Sequence, residues 1–242
     1  MLFFVLNTLA FASEDGEASG AFSFMHMWNE SGFIAKSVIV MLIVMLLWSC
    51  VVTIERLIAF NRARSMSKRL VAEVGEPIAA FDQAAALAIV KDEQFEGCYL
   101  GSILEAGLSE LNERWDEDGI NNAENAIDRA ILNETGKMRR GMTILATVGS
   151  TAPFVGLFGT TFGVINAFAA MGDGTGGLSQ ISTGISEALI TTGVGIGVAV
   201  VGVWMFNYFN GRIEKVQDEM HSASSEFLEW ANKHIQTAKA GK

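Results

Sequence analysis

The chain has 242 residues, of which half are hydrophobic and only 18% are charged, and its formal net charge is −10. A negative charge of this size argues against a nucleic-acid partner. The charges are also segregated, because Asp173 and Glu187 are the only acidic or basic residues between Gly141 and Gly211. Such segregation indicates a membrane protein rather than a soluble one.

The first residues, MLFFVLNTLAFA, fit two interpretations. They are similar to the apolar part of a signal peptide over residues 1–12, although no Lys or Arg precedes it, or they form a short helix at the outer membrane face. Residues 13–23 have the composition of a flexible linker. We assign residues 1–32 to an external segment.

Three apolar segments are long enough to cross a bilayer, which requires about 20 apolar residues. We predict transmembrane helices over residues 33–55, 141–171 and 179–210, with a short external loop over residues 172–178. At about 1.5 Å per residue the second helix reaches roughly 46 Å, which exceeds a hydrocarbon core of about 30 Å. Its ends are therefore expected to project from the membrane or to be buried in protein.

Basic residues predict the orientation of these helices. They follow the first span, precede the second and follow the third: Arg56, Arg62, Arg64, Lys68, Arg69, Lys137, Arg139, Arg140, Arg212 and Lys215. By the positive-inside rule the N-terminus lies outside and the C-terminus lies in the cytoplasm. The cluster at residues 56–69 abuts a span, which favours a headgroup anchor over a nucleic-acid patch.

The segment between the first two spans, residues 56–140, carries apolar residues three and four apart, which is typical of helices. We predict a cytoplasmic helical domain here, with a break at Gly75 and Pro77 and a turn at Asp116–Gly119. Residues 211–242 are predicted as a cytoplasmic C-terminal helix or tail. The predicted fold class is an all-α membrane protein with three transmembrane helices, N-terminus out and C-terminus in, whose long helices extend into this domain.

The sequence contains no recognisable catalytic or metal-binding motif. His26, His221 and His234 are isolated, and no Cys or His pair has metal-ligand spacing. The predicted topology keeps Cys50 and Cys98 apart, so no disulfide is expected between them. We therefore predict a protein that is not an enzyme and that binds neither a metal nor a cofactor.

The second span contains Pro153 and several glycines. Pro153 lacks a backbone donor and frees the carbonyl of Gly149, which predicts a kink or a local opening. Gly159 and Gly163 form a small-xxx-small pair that permits close helix packing, and Gly193 and Gly197 repeat this spacing in the third span.

Hydroxyl side chains are frequent in the second and third spans, and Thr143, Thr147 and Thr151 share one helix face. A membrane hydroxyl usually bonds to its own helix, but a whole face of hydroxyls suits a helix interface or a hydrated lumen. Glu187 is a carboxylate at membrane depth, which costs roughly 2.5 to 3.5 kcal/mol on insertion scales and normally faces protein or water. It either relays ions or stays hydrogen-bonded as a structural group.

Two longer motifs resemble a known family. LATVGSTAPFVGLFGTTFGVINAF at residues 145–168 and GISEALITTGVGIGVAV at 184–200 are similar to the MotA/TolQ/ExbB proton-channel family, and most similar to ExbB. IERLIAFNRAR at 54–64 resembles the exit of that family's first span. The resemblance runs from about residue 25 to residue 215.

The resemblance implies a pentameric ring in a bacterial inner membrane. Its pore would hold the single transmembrane helices of an ExbD-like or TolR-like partner, and the motor would energise a TonB-like or TolA-like protein. By position, Thr160 and Thr192 match the family's pore threonines and Glu187 matches its buried glutamate. Helix geometry turns Glu187 about 140° away from Thr192, so the two cannot both face one pore axis.

One position departs from the family pattern. Val201 stands where the family usually has a proline, which predicts a straighter third helix and leaves room for a gliding-type surface motor. A passive membrane scaffold is a further alternative. Threonine hydroxyls suit either H⁺ or Na⁺.

Overall fold

The structure is a computed structural model that describes residues 32–80, 82–172 and 177–240. Within these residues the chain forms helices and no strand. They are α1 Phe33–Ala79, α2 Gln83–Val90, α3 Tyr99–Glu113, α4 Glu117–Arg139, α5 Met142–Gly172 and α6 Leu178–Ala240, with a 3₁₀ turn at Glu93–Phe95. The predicted all-α fold is confirmed. The first 12 residues, with their two interpretations, and the predicted linker lie outside the described residues.

Three of these helices are long and apolar enough to cross a membrane. Candidate spans lie within Phe33–Ala79, Met142–Ala169 and Ile181–Thr237. Both α1 and α6 continue far beyond their apolar segments, and α6 passes through Val201 as one 63-residue helix. The orientation of these spans remains a prediction.

The predicted break at Gly75 and Pro77 is wrong, because α1 continues through both residues to Ala79. Pro77 lies close to the end of the helix, where its missing N–H removes only the bond to the carbonyl of Glu73. The chain turns after Ala79, and the Asp82 side chain accepts a hydrogen bond from the Ala85 N–H at the start of α2. A proline in the last turn of a helix thus indicates that the helix ends a few residues after it.

The described residues divide into two compact units. We call residues 32–47 and 148–201 the apolar bundle, and residues 48–147 and 202–240 the charged bundle. The core of the charged bundle is formed by apolar side chains of α1, α3, α4 and α6, among them Leu70, Val74, Ile103, Leu108, Ile127, Met220 and Phe227. Burial of such side chains is the main source of its stability.

Three side-chain hydrogen bonds connect elements at one end of the charged bundle. Trp230 Nε1 donates to the carbonyl of Ile78 at 2.9 Å. Trp115 Nε1 donates to Gln83 Oε1 at 2.6 Å, and Gln83 Nε2 donates to the carbonyl of Leu108 at 2.9 Å. The connection between α3 and α4 ends at Asp116, whose side chain accepts a hydrogen bond from the Gly119 N–H. The predicted turn at Asp116–Gly119 is displaced, because α4 already begins at Glu117.

The joint between α4 and α5 depends on Gly141. Its φ of +80° lies in the left-handed region, which suits glycine, and the chain changes direction there. A Cβ at this position would lie 3.3 Å from Val52 Cγ1, so α1 packs closely against the joint. Arg56 Nη1 also donates to the carbonyl of Lys137 at 3.3 Å, near the end of α4. The charged helix α4 and the apolar helix α5 are therefore separate elements, and α1 contacts the joint between them.

Candidate functional site

In the apolar bundle α5 and α6 approach each other through their backbones. A Cβ on Gly195 would lie 2.8 Å from the carbonyl oxygen of Ala152, and one on Gly156 would lie 2.8 Å from that of Thr191. Real Cβ atoms do not tolerate such distances to a backbone oxygen. Glycine at both positions therefore permits this crossing.

The contacts continue along both helices. A Cβ on Gly159 would meet Thr191 Oγ1 at 2.8 Å, and one on Gly163 would meet the Cβ of Ala188 at 2.9 Å. The contact residues advance along α5 as they recede along α6, so the two helices are antiparallel.

The predicted packing glycines fall into two groups in this geometry. Gly159 and Gly163 face α6, whereas a Cβ on Gly193 or Gly197 would meet nothing within 4 Å. The close contact on α6 is made by Gly195 instead. The helix α5 itself runs without interruption through Pro153.

The three threonines at this crossing have different surroundings. Thr191 is fully buried, and its hydroxyl donates to the carbonyl of Ala188 at 2.7 Å. Thr160 is half-buried and donates to the carbonyl of Leu157 at 2.7 Å, so its oxygen can still accept a hydrogen bond. Thr192 Oγ1 is buried and has no hydrogen-bond partner among the described residues.

Thr160 and Thr192 lie on the same side of the helix pair. One residue turns an α-helix by about 100°. Thr160 follows the contact residue Gly159, and Thr192 follows the contact residue Thr191. Because the helices are antiparallel, these two turns lead to the same side, which we call the hydroxyl side.

Glu187 lies on the opposite side of the same pair, because it precedes the contact residue Ala188. Its Oε1 accepts a hydrogen bond from the backbone N–H of Gly32 at 3.0 Å, at the start of α1. Asn166 precedes Ala167, which packs against Gly184, and a Cβ on Gly32 would lie 3.8 Å from Asn166 Nδ2. The polar groups of Asn166 and Glu187 thus face α1, and we call this the α1 side.

The chemistry available on the hydroxyl side is the exchange of hydrogen bonds. Hydroxyls both donate and accept, so they can solvate a proton carrier, a water molecule or a small cation. Across the described residues no group of three His, Cys, Asp or Glu side chains could hold a metal ion. Glu187, the one described carboxylate of the apolar bundle, faces away from the hydroxyl side.

Sequence reasoning did not single out Gly195 or Asn166. The pattern that marks the true interface is the run of small residues at three- and four-residue spacing, Gly156, Gly159, Gly163 and Ala167 on α5 and Gly184, Ala188, Thr191 and Gly195 on α6. Asn166 was recognisable only as a polar residue within a span.

The sequence is similar to those of known proteins. The sequence profile of the MotA/TolQ/ExbB proton channel family matches residues 98–222, just over half of the chain. The biopolymer transport protein ExbB of Xanthomonas campestris is 43% identical over 86 residues, which are 35% of this chain and 34% of that protein. The Tol-Pal system protein TolQ of Pseudomonas aeruginosa is 32% identical over 145 residues, 56% of this chain and 62% of that protein. ExbB of Pseudomonas putida is 37% identical over 103 residues, 42% of this chain and 31% of its own length.

Three apolar helices, two of which cross at glycines and carry threonines on one side, define a multi-pass helical membrane protein. With the match over residues 98–222, the chain belongs to the MotA/TolQ/ExbB proton channel family. It spans less than two thirds of the length of each of these three relatives.

The glycine crossing gives a matched pair of variants. Gly195→Ala places a Cβ against the Ala152 carbonyl and should destabilise the chain by about 1–3 kcal/mol, as overpacking typically does. Gly193→Ala, two residues earlier, meets open space and should be neutral or slightly stabilising, because alanine favours helix over glycine. The thermal unfolding midpoints of both variants, measured in a detergent that keeps the chain monomeric, test this. Equal midpoints would contradict the crossing at Gly195.

Proposed function

We propose that this chain is an ExbB/TolQ-like subunit of an ion-driven motor in the bacterial inner membrane, with the proton as its ion. The observation that supports this most directly is the unpartnered, buried hydroxyl of Thr192 on the same side as Thr160. A buried hydroxyl without a partner carries an energetic cost of about 1–3 kcal/mol, which a bound water, ion or partner side chain relieves. The hydroxyl side accordingly faces the pore.

The pore requires more than one chain. A single pair of helices encloses no lumen, so a ring of copies is part of the proposal, pentameric as the family resemblance implies. The hydroxyl side has no acidic group among the described residues, whereas proton transfer through a membrane needs a group that gains and loses a proton. An ExbD-like or TolR-like single-span partner in the pore supplies the aspartate, and a TonB-like or TolA-like protein receives the motion.

Orientation and energy agree with this role. In the proposed orientation the charged bundle lies in the cytoplasm and the start of α1 lies at the periplasmic face, as the positive-inside rule requires. One charge that crosses 100 mV yields about 2.3 kcal/mol, which is enough to bias a conformational step when ions pass in succession. The energised work is outer-membrane transport or another envelope process.

Removal of the Thr192 hydroxyl tests the pore assignment. Thr192→Val keeps the shape of the side chain and should slow proton uptake about tenfold or more, since the lost hydrogen bonds are worth about 0.5–1.5 kcal/mol each. Uptake is measured with a pH-sensitive dye inside liposomes that contain the chain and its single-span partner.

Thr161→Val is the matched control. Thr161 donates to the same Leu157 carbonyl as Thr160. It is turned by about 100° further around α5, to about 160° from the face that contacts α6. It should leave both uptake and assembly unchanged. Normal uptake in Thr192→Val, with the complex intact, would refute the assignment of the hydroxyl side to the pore.

We further propose that Glu187 holds the start of α1 and does not relay protons. Glu187→Gln keeps an oxygen that can accept from the Gly32 N–H, and should retain proton uptake. Glu187→Leu removes the acceptor and should lower the thermal unfolding midpoint by an amount that corresponds to about 1 kcal/mol. Loss of uptake in Glu187→Gln, at unchanged stability, would show an obligatory relay.

A passive membrane scaffold is the second candidate function. The hydroxyls of Thr160 and Thr191 bond back to carbonyls of their own helices, which is how structural hydroxyls behave in membranes. The two functions differ in their energy source. Work that continues after an uncoupler collapses the ion gradient supports the scaffold and excludes the motor.

A further inference from the structure

A cleft of about 430 Å³ opens in the charged bundle between α1 and α6. Arg64 and Lys68 of α1, Glu219 and Glu226 of α6, and Tyr99 and Leu100 of α3 are among the residues that line it. The two helices run parallel, because Phe60 stacks on Phe209 and Trp230 bonds to the carbonyl of Ile78 further along both. The cleft therefore has one of two parallel helices on each side.

The two walls carry opposite charges. Arg64 and Lys68 stand on α1, and Glu219 and Glu226 stand on α6. None of the four makes an ion pair within the described residues, where the ion pairs involve other side chains. The groove separates the two charged rows, so an occupant can pair with both.

The base of the groove fixes one of these carboxylates. Tyr99 is buried, and its hydroxyl donates to Glu219 Oε2 at 2.7 Å. Burial, together with this hydrogen bond, raises the pKa of Tyr99 to about 12, so the phenol remains a donor at neutral pH. Within the part of the chain that the structure describes, Glu226 accepts a hydrogen bond from the Ser222 hydroxyl at 3.5 Å.

The pattern of charges does not favour simple ions. A small anion that approaches Arg64 and Lys68 also faces the two carboxylates, which repel it. A small cation that approaches the carboxylates also faces the two basic side chains. An occupant with both charges on opposite edges gains from both walls. Its central part can rest on the apolar atoms of Val71, Leu100 and Ala223, which also line the groove.

An extended peptide has this arrangement when its acidic and basic residues alternate. Successive side chains of an extended chain point to opposite sides, so alternating glutamates and lysines present acids to one wall and bases to the other. The seven helical steps from Glu219 to Glu226 rise about 10 Å, the length of about three extended residues. We propose that the groove between α1 and α6 binds an extended segment of a partner protein in which acidic and basic residues alternate.

Two peptides of identical composition test this with the purified full-length chain in detergent. The probe is a fluorescein-labelled hexapeptide in which glutamate and lysine alternate, and the control is a labelled hexapeptide with all its glutamates in one block and all its lysines in the next. Fluorescence anisotropy should show binding of the alternating peptide about tenfold tighter than the block peptide, as two additional surface ion pairs would give. Equal affinities, or no binding of either peptide, would overturn the proposal.

Variants on the groove locate the binding site. Arg64→Ala combined with Lys68→Ala, and separately Glu226→Ala, should weaken binding of the alternating peptide about tenfold. Binding of the block peptide should be unchanged. Arg62→Ala combined with Arg69→Ala is the control, because both arginines are exposed on α1 outside the groove. If the control variant loses as much affinity as the groove variant, binding is non-specific and the proposal fails. The measurement involves no ion flux, so its outcome is independent of the motor function.

Discussion

The contact between α5 and α6 through Gly156 and Gly195 determines the geometry of the rest of the apolar bundle. At these two glycines a carbonyl of one helix lies where a Cβ of the other would be. Once backbones touch at one crossing, the rotation of each helix is fixed, because every side chain is turned by about 100° from its neighbour. The positions of Thr160, Thr192 and Glu187 all follow from that rotation.

The crossing places the threonine hydroxyls on one side of the helix pair and the Glu187 carboxylate on the other. On the hydroxyl side Thr192 presents a buried oxygen without a partner, and Thr160 presents one that can still accept. On the α1 side Glu187 is engaged by the Gly32 N–H. A carboxylate that holds a third helix costs less at depth than an unpaired one, since its oxygen is hydrogen-bonded. The hydroxyl side can therefore face ions without a fixed charge that would trap them.

The sequence predicted the features that depend on composition and periodicity. The all-helical fold and the three spans followed from apolar length, and the family followed from the motifs at residues 145–168 and 184–200. The partners of individual residues could not be predicted. Gly193 and Gly197 have the same spacing as Gly159 and Gly163, and only the rotation of α6 shows that Gly195 makes the contact.

Two other features also required tertiary structure. The helix α1 continues past Gly75 and Pro77 because its far end is held by packing in the charged bundle, where tertiary contacts outweigh local propensity. The hydrogen bond from Gly32 to Glu187 joins residues 155 positions apart, which no local pattern can indicate.

The accessibility of single cysteines to water tests the central claim most directly. In the assembled complex, with Cys50 replaced by serine, cysteines at positions 160 and 192 should react with a water-soluble, membrane-impermeant thiol reagent, since thiolates form only where water reaches. Cysteines in place of Ile165 and Ile190, turned about 140–160° away on the same helices, should remain unlabelled. If cysteines at positions 165 and 190 are labelled and those at positions 160 and 192 are not, the result would contradict a pore on the hydroxyl side.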